Sequence, residues 1–420
     1  LELLQNARDA VYRGRQEGNA SSARVFIAVT EHGMAMANMG APFRLDQEEV
    51  LKAVRFLMRS DKAGRGFIGH KGVGLKSILL RAGAFAVRSR VDGQILRATF
   101  SRSRTAQHLL DRLETNPDLI PNDQRRYIQQ QLPRLPLFTQ PHADAADGTS
   151  LGPDTRLVEA LLRHDDRALG LDPSGDLTPV DPYTTVVYLP YRDEQWHHIL
   201  ETVKEELPPE DLPAFEQAQR QTGEVSVRAN PDDIWSELVE LDRRVLVLLG
   251  EIGEIQCARF EGGELIEVRR IDIETPLSPL NGAASMRTVT VRERRWSQDG
   301  DNLSVTTHTF VVLSRPTTLG DEEVAVAPDE PQEHVRILLE VPSSRENIVL
   351  RDEPFFLYYP IEASRSGLPF LIHGPFRVNS SRTSLVPSQE EHNRQVLEEA
   401  ISLLRDRLGD LLASSCPLRP

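Results

Sequence analysis

The chain has 420 residues, 39% hydrophobic and 27% charged, the balance of a globular protein long enough for two or three domains with their own cores. Its formal charge of −14 argues against a broad nucleic-acid-binding face, so nucleic acid is expected only indirectly, if at all. Two distant cysteines, Cys257 and Cys416, exclude a disulfide framework and a cysteine zinc site, and with no membrane-spanning apolar run they fit a cytoplasmic protein free of membranes.

The chain opens with Leu1-Glu2-Leu3-Leu4, already inside a helical pattern, so a segment upstream is expected. Leu3, Ala7, Ala10 and Val11 repeat as the buried face of a helix over 1–16. Glu2, Asn6, Asp9 and Arg13 fall at i, i+4, i+7 and i+11 and form a second, polar stripe. One reading is a solvated face. The other is that a base and hard oxygen ligands suited to Mg²⁺ share the stripe.

Residues 24–30 read as a strand, and 34–39 as a short second one, broken by Gly40 and Pro42 with Asn38 just before the break. A helix is expected over 45–58, with Asp46 as cap and Glu49 three residues on. The polar loop 60–66 leads into Gly69-His70-Lys71-Gly72-Val73-Gly74-Leu75-Lys76-Ser77. Three glycines at this spacing let backbone N–H groups approach a ligand, and a helix opening at Leu75 would turn its positive dipole end toward phosphate. A glycine-rich turn without a ligand has the same pattern.

Strands are expected at 84–90 and 95–100, joined by the hairpin signal Asp92-Gly93. Residues 104–131 read as helical with a break at Pro117 and Pro121, and 132–182 as an insertion with one helix over 155–162. A β-branched strand follows at 183–189, then a helix at 196–206, where His197 and His198 lack a third metal ligand at useful spacing. Residues 206–231, acidic and proline-bearing, read as a connector. Beyond it come a helix at 234–249, alternating strands over 252–315 and 333–341, strands at 355–360 and 370–378, and a closing amphipathic helix at 389–412. The domain plan is therefore 1–205 with an insertion at 104–182, a connector at 206–231, a second α/β domain at 232–388 and a C-terminal helical segment at 389–420.

Glu2-Leu3-Leu4-Gln5-Asn6-Ala7-Arg8-Asp9-Ala10 resembles the first signature box of the GHKL ATPases, the superfamily of gyrase B, histidine kinases, MutL and the large heat-shock chaperone. Ala37-Asn38-Met39-Gly40-Ala41-Pro42-Phe43 resembles the second box and residues 69–77 the third, in the same order. The flavour is similar to the sacsin and NO VEIN type. Residues 367–376 followed by Asn379-Ser380-Ser381-Arg382 resemble the segment after the ATPase domain of sacsin-like proteins, and the Asn-x-x-Arg part resembles the middle-domain catalytic loop of the heat-shock chaperone. The resemblance covers 1–100 and 183–190, extends less closely over 340–385, and is absent over 104–180.

The resemblance implies an α/β (α+β) fold: a two-layer GHKL (Bergerat) sandwich with helices on one sheet face and nucleotide between the layers, then a second, middle-like α/β domain. It implies ATP and Mg²⁺ as cofactors. Glu2 would be the general base, Asn6 the metal ligand, and Asp9 a support for the shell around them. Asn38 stands where most of the superfamily has an aspartate, so it would accept from the adenine amino group without a charge. Thr184 would complete the adenine side. Gly69, Gly72 and Gly74 would cradle the phosphates, with Lys71 or Lys76 as charge partner; Gly40, Val73 and Leu75 complete the implied contact set. Arg382 would reach the γ-phosphate from the second domain. The implied function is an ATPase that hydrolyses ATP to ADP to drive conformational change, in a chaperone-like machine or in a larger assembly such as a bacterial defence system. Such a role calls for a protein partner or client and is compatible with a homodimer. The alternative is a nucleotide-gated interaction module with little turnover, slightly favoured by Asn38.

Overall fold

The run Val25-Phe26-Ile27-Ala28-Val29 has no polar side chain, which marks a strand covered on both faces. In the computed structural model this run belongs to β1 (Arg24–Val29), and every residue of the strand is buried. The structure describes residues 2–17, 23–44, 82, 84–116, 120–135, 141–143, 149–163, 183–191, 194–225, 230–274, 285–298, 303–317, 319, 334–342, 352–379 and 384–413. The helix expected over 45–58 lies outside them.

Helix α1 (Glu2–Gln16) precedes β1, and β2 (Gly33–Asn38) follows it. Next come β3 (Ala84–Val91) and β4 (Gln94–Ser101), turned by Asp92 (φ 48°) and Gly93 (φ 81°), then α2 (Arg102–Thr115), α3 (Asn122–Gln131) and β5 (Pro141–Ala143). Helix α4 (Thr155–Arg163), β6 (Thr185–Pro190), α5 (Glu194–Glu206), α6 (Leu212–Val225), α7 (Pro231–Glu240) and α8 (Arg244–Leu249) lead to a run of strands. These are β7 (Glu254–Glu261), β8 (Glu264–Ile273), β9 (Ser285–Ser297), β10 (Ser304–Pro316) and β11 (His334–Val341). The short β12 (Pro354–Leu357), β13 (Tyr359–Arg365) and β14 (Leu371–His373) precede α9 (Glu390–Asp406) and α10 (Leu408–Leu412).

Among the described residues the strands form one mixed sheet in the order β13-β12-β14-β11-β10-β9-β8-β7-β1-β2-β6-β3-β4-β5. Its two halves meet where β1 pairs parallel with β7, Val25 opposite Ile255. Every other described pairing but one, β12 with β14, is antiparallel.

Leu3, Leu4 and Ala7 of α1 pack on Val25, Ile27, Val29 and Met36, together with Val245–Leu249 of α8. The alternate residues Phe26, Ala28, Ala35 and Ala37 point the other way and are covered by Val158 and Leu161 of α4. The expectation of helices on one face only is thus corrected for this part of the sheet. Both phases of β1 and β2 are apolar, so each face needs a cover, and the segment read as an insertion supplies the second. It is pinned by Asp154, which accepts from the Thr30 hydroxyl at 2.7 Å and the Tyr188 hydroxyl at 2.6 Å.

Residues 206–231, expected to connect two domains, contain α6, whose Phe215 is fully buried in a cluster with Leu132, Trp196 and Val203. Pro213 stands in the first turn of α6, where a missing N–H breaks no helical bond. The single helix expected over 234–249 is two, because the buried Arg269 guanidinium takes the carbonyls of Leu238 at 2.6 Å and Leu241 at 2.8 Å at the end of α7. Asp242 then receives the Arg244 N–H at 2.9 Å and starts α8. In the far half of the sheet, Val396, Ala400 and Leu403 of α9 cover Val311, Leu313, Ile337 and Ile372. No helix among the described residues is long and apolar enough to cross a membrane.

Candidate functional site

The polar stripe of α1 lies beside its buried face. Asn6 is half-buried, while Asp9 is 1% exposed with the Arg8 guanidinium 3.3 Å from its carboxylate. Arg8 in turn lies 5.0 Å from the centre of the Tyr12 ring. Glu2 opens the helix, and its side chain lies outside the described residues.

The end of β2 meets this helix backbone to backbone. The Ala41 N–H donates to the Ala10 carbonyl at 2.8 Å, next to Asp9 in sequence. Gly40 has φ +110°, and a Cβ there would stand 2.5 Å from the Ala10 carbonyl oxygen. The glycine of the second motif therefore allows a close approach that no other residue fits. That steric need accounts for Gly40 whether or not it also touches a ligand.

Asn38, Thr185 and Ser89 stand opposite one another in β2, β6 and β3. They share the phase of Met36 and Val87 and so face α1. All three are buried, at 5%, 5% and 0% exposure. Asn38 Nδ2 donates one of its two hydrogens to the Met39 carbonyl at 2.9 Å, which fixes the orientation of the amide. The Ser89 and Thr185 hydroxyls are 2.8 Å apart, and the Phe43 N–H donates to Ser89 Oγ at 2.8 Å and, less closely, to Thr185 Oγ1 at 3.3 Å.

Thr184, singled out from the sequence, joins its neighbours through its backbone. Its N–H donates to the Asn38 carbonyl at 2.9 Å and its own carbonyl accepts from the Arg90 N–H at 2.8 Å. The hydroxyl in the row belongs to Thr185. Sequence reasoning also passed over Ser89, although its phase was a signal: after Phe85 and Val87, a serine occupies the next core-facing position of β3.

Gly69, Lys71, Gly72, Val73, Gly74, Leu75, Lys76 and Arg382 lie outside the described residues. The flanks of the Arg382 segment are described: Val378 bridges Leu385, and the Asn393 side chain of α9 takes the Arg377 N–H at 2.7 Å and donates to its carbonyl at 3.2 Å. Among the described residues no three His, Cys, Asp or Glu side chains converge as a metal site. On the other sheet face, Arg88, Arg97, Leu151, Val158 and Arg163 border a small cleft of about 30 Å³ that opens to solvent.

No family model matches the chain, and no curated protein matches it. Among solved structures it is similar to the ATPase region of Saccharomyces cerevisiae topoisomerase II, with TM-score 0.28 and 11% identity over 65% of this chain and 57% of that one. The same region bound to ICRF-187 (dexrazoxane) gives TM-score 0.27 and 11% identity over the same shares, 65% and 57%. The 43K ATPase domain of Thermus thermophilus gyrase B, in complex with an aminocoumarin, gives TM-score 0.32 and 11% identity over 97% of this chain and 89% of that one. The chain thus spans little more than half of the yeast region. Likenesses at these TM-scores carry no weight for function.

Proposed function

We propose that this chain binds ATP with Mg²⁺ on the α1 face of its sheet and hydrolyses it to ADP to drive a change of conformation. The observation that carries the reading is the buried row Asn38–Thr185–Ser89, set beside the helix that bears Glu2, Asn6 and Asp9. Core-facing strand positions are ordinarily apolar; three polar ones in one row offer hydrogen bonds to the edge of a planar base. Asn38 Oδ1 is the acceptor offered to an exocyclic amino group, with the amide oriented by the Nδ2 bond to Met39. Asn6, half-buried, offers an amide oxygen suited to Mg²⁺. Glu2 polarises the attacking water, and Asp9, held by Arg8, supports the stripe from within. The glycines 69, 72 and 74 cradle the phosphates with Lys71 or Lys76, and Arg382 completes the γ-phosphate side. When bound through Asn6, the metal would supply charge neutralisation at the phosphates.

The proposed units are 1–205, the connection 206–231, 232–388 and the closing helical segment 389–420, with movement passed across the β1–β7 pairing. Use of that movement requires a protein partner or client, in a chaperone-like machine or in an assembly such as a defence system. A second reading, a nucleotide-gated interaction module with little turnover, is favoured by the uncharged Asn38. Steady-state ATPase assays on wild type and Glu2→Ala, with calorimetric titration of ATP with and without Mg²⁺, test both. Turnover lost in Glu2→Ala supports the ATPase; binding without turnover selects the second reading; no binding by wild type overturns both.

A further inference from the structure

We propose that the polar row at the ends of β9, β10, β11 and β14 is a binding site for a tetrahedral oxyanion of the phosphate type, separate from the nucleotide site. Ser285, Ser314, Arg336 and His373 stand opposite one another across these strands, and Phe356 of β12 closes the row. They share the phase of Val289, Val312, Leu338 and Leu371, so they lie on the sheet face that α1 and α8 cover. Arg287 and His334 flank the row on the same face, two residues from Ser285 and Arg336. Ser314, Arg336 and His373 are buried and form the floor, while Ser285, Arg287, His334 and Tyr358 are half-buried and form the rim. In the order of strands β11 stands six steps from β2, about 29 Å from the Asn38 row at the usual strand spacing.

The floor carries polar atoms whose hydrogen bonds are unmade. Neither ring nitrogen of His373, 2% exposed, has a hydrogen-bond partner among the described residues, nor do Arg336 Nε and Ser285 Oγ. The His334 backbone lies close to the His373 ring without meeting hydrogen-bond geometry, and Tyr358, at φ 64°, meets that ring edge-on at 4.7 Å. Arg336 gives one N–H to the Leu248 carbonyl at 2.5 Å, at the end of α8, and belongs to no ion pair among the described residues. Glu251, the carboxylate whose field it feels, is paired with Arg15. Burial lowers the Arg336 guanidinium to about 10 against the pull of Tyr358, and Arg287 and Arg8 lower it further, so it stays charged at neutral pH. A buried cation without a counter-ion is destabilising, and an anion held in the row removes that penalty. Two guanidinium groups, two imidazoles and two hydroxyls supply more donors than the two oxygens of a carboxylate use, which favours the four oxygens of phosphate or sulfate.

The test is thermal denaturation and calorimetric titration of the full chain with sodium phosphate, with acetate at equal ionic strength as the control for salt. Millimolar phosphate should raise the midpoint of wild type by about 2 °C or more, and acetate should leave it unchanged. Arg336→Met, which keeps an unbranched apolar stem, should bind phosphate about tenfold or more weaker and unfold at the same temperature with and without it. If Arg336 serves only to hold the Leu248 carbonyl, the variant keeps the full phosphate response, and that overturns the proposal; so does a wild type that responds to phosphate no more than to acetate. If Arg336→Met does not fold, His373→Leu serves in its place and should weaken phosphate by about threefold or more. Saturating Mg²⁺–ATP should leave phosphate affinity unchanged; loss of phosphate binding on adding ATP would make the row part of the nucleotide's own site and overturn a separate one. The proposal stands apart from the ATP-binding reading: phosphate binding by a chain that binds no ATP supports it while that reading fails.

Discussion

Gly14 and Gly40 bring α1 and the end of β2 into backbone contact. A Cβ on Gly14 would stand 2.9 Å from the Ala41 nitrogen and 3.1 Å from the Gly40 carbonyl carbon, and one on Gly40 would stand 2.5 Å from the Ala10 carbonyl oxygen. Two glycines from separate elements thus set the spacing between the helix that carries Asn6 and Asp9 and the strand that ends in Asn38. This backbone contact adds to the packing of Leu3, Leu4 and Ala7 on Met36 in holding the helix against the strand.

Gly40→Ala should destabilise the protein by about 3 kcal/mol or more, since it meets backbone and also strains a positive φ. Gly14→Ala meets backbone at 2.9 Å without that strain and should cost about 1–2 kcal/mol. Gly409→Ala, with open space around it in α10, should be neutral or slightly stabilising and serves as control. Urea denaturation of the three variants gives the ranking; equal effects at positions 14, 40 and 409 would contradict the close approach.

Asp154 accepts from both Thr30 and Tyr188, so its removal takes the acceptor from the buried Tyr188 hydroxyl, while the Thr30 hydroxyl can turn to the Gly33 carbonyl at 3.0 Å. Asp154→Ala should cost about 3 kcal/mol and Tyr188→Phe about 1 kcal/mol. Hydrogen exchange should show α4 loosening from the sheet before β1 and β2 do. An Asp154→Ala protein as stable as wild type would show that α4 is held by its apolar face alone.

Stability should fall on mild acidification. His334 is pushed down to about 4 by burial, then by Arg336 and Arg287, and His373 is pushed well below its ordinary value by burial, then by Arg336 and His334. Unfolding returns both rings to about 6.5, so the unfolded chain binds more protons below that pH. Their contribution is fully present above pH ~6.5 and is lost as pH falls below it, for His334 toward its folded value near 4. Denaturation midpoints measured from pH 7 to pH 4 should drop for wild type and drop less steeply for His334→Gln. An identical slope in the two proteins would remove His334 from the account.

Phe215→Ala should cost about 3–5 kcal/mol, because the ring is fully buried between α6 and the helices before it. Limited proteolysis reads the same point: residues 212–222 should resist cleavage in wild type and be cut early in the variant. Rapid cleavage of wild type there would mean that α6 does not stay docked.

What the sequence determined by itself was local. The apolar phases of α1, β1 and β2, the Asp92-Gly93 hairpin and the helix after Asp154 follow from periodicity and turn chemistry, which need no distant partner. The stripe Glu2, Asn6, Asp9 and the strand-end position of Asn38 were equally legible. Tertiary structure decided the rest. Arg269, about thirty residues downstream, splits the helix expected over 234–249 by taking its carbonyls, and Phe215 packs a helix within the segment read as a connector. The choice between Thr184 and Thr185 depends on register, because a shift of one residue moves a side chain to the opposite sheet face. Only the pairing of β6 with β2 and β3 sets that register, and with it the row in which Thr185 and Ser89 meet Asn38.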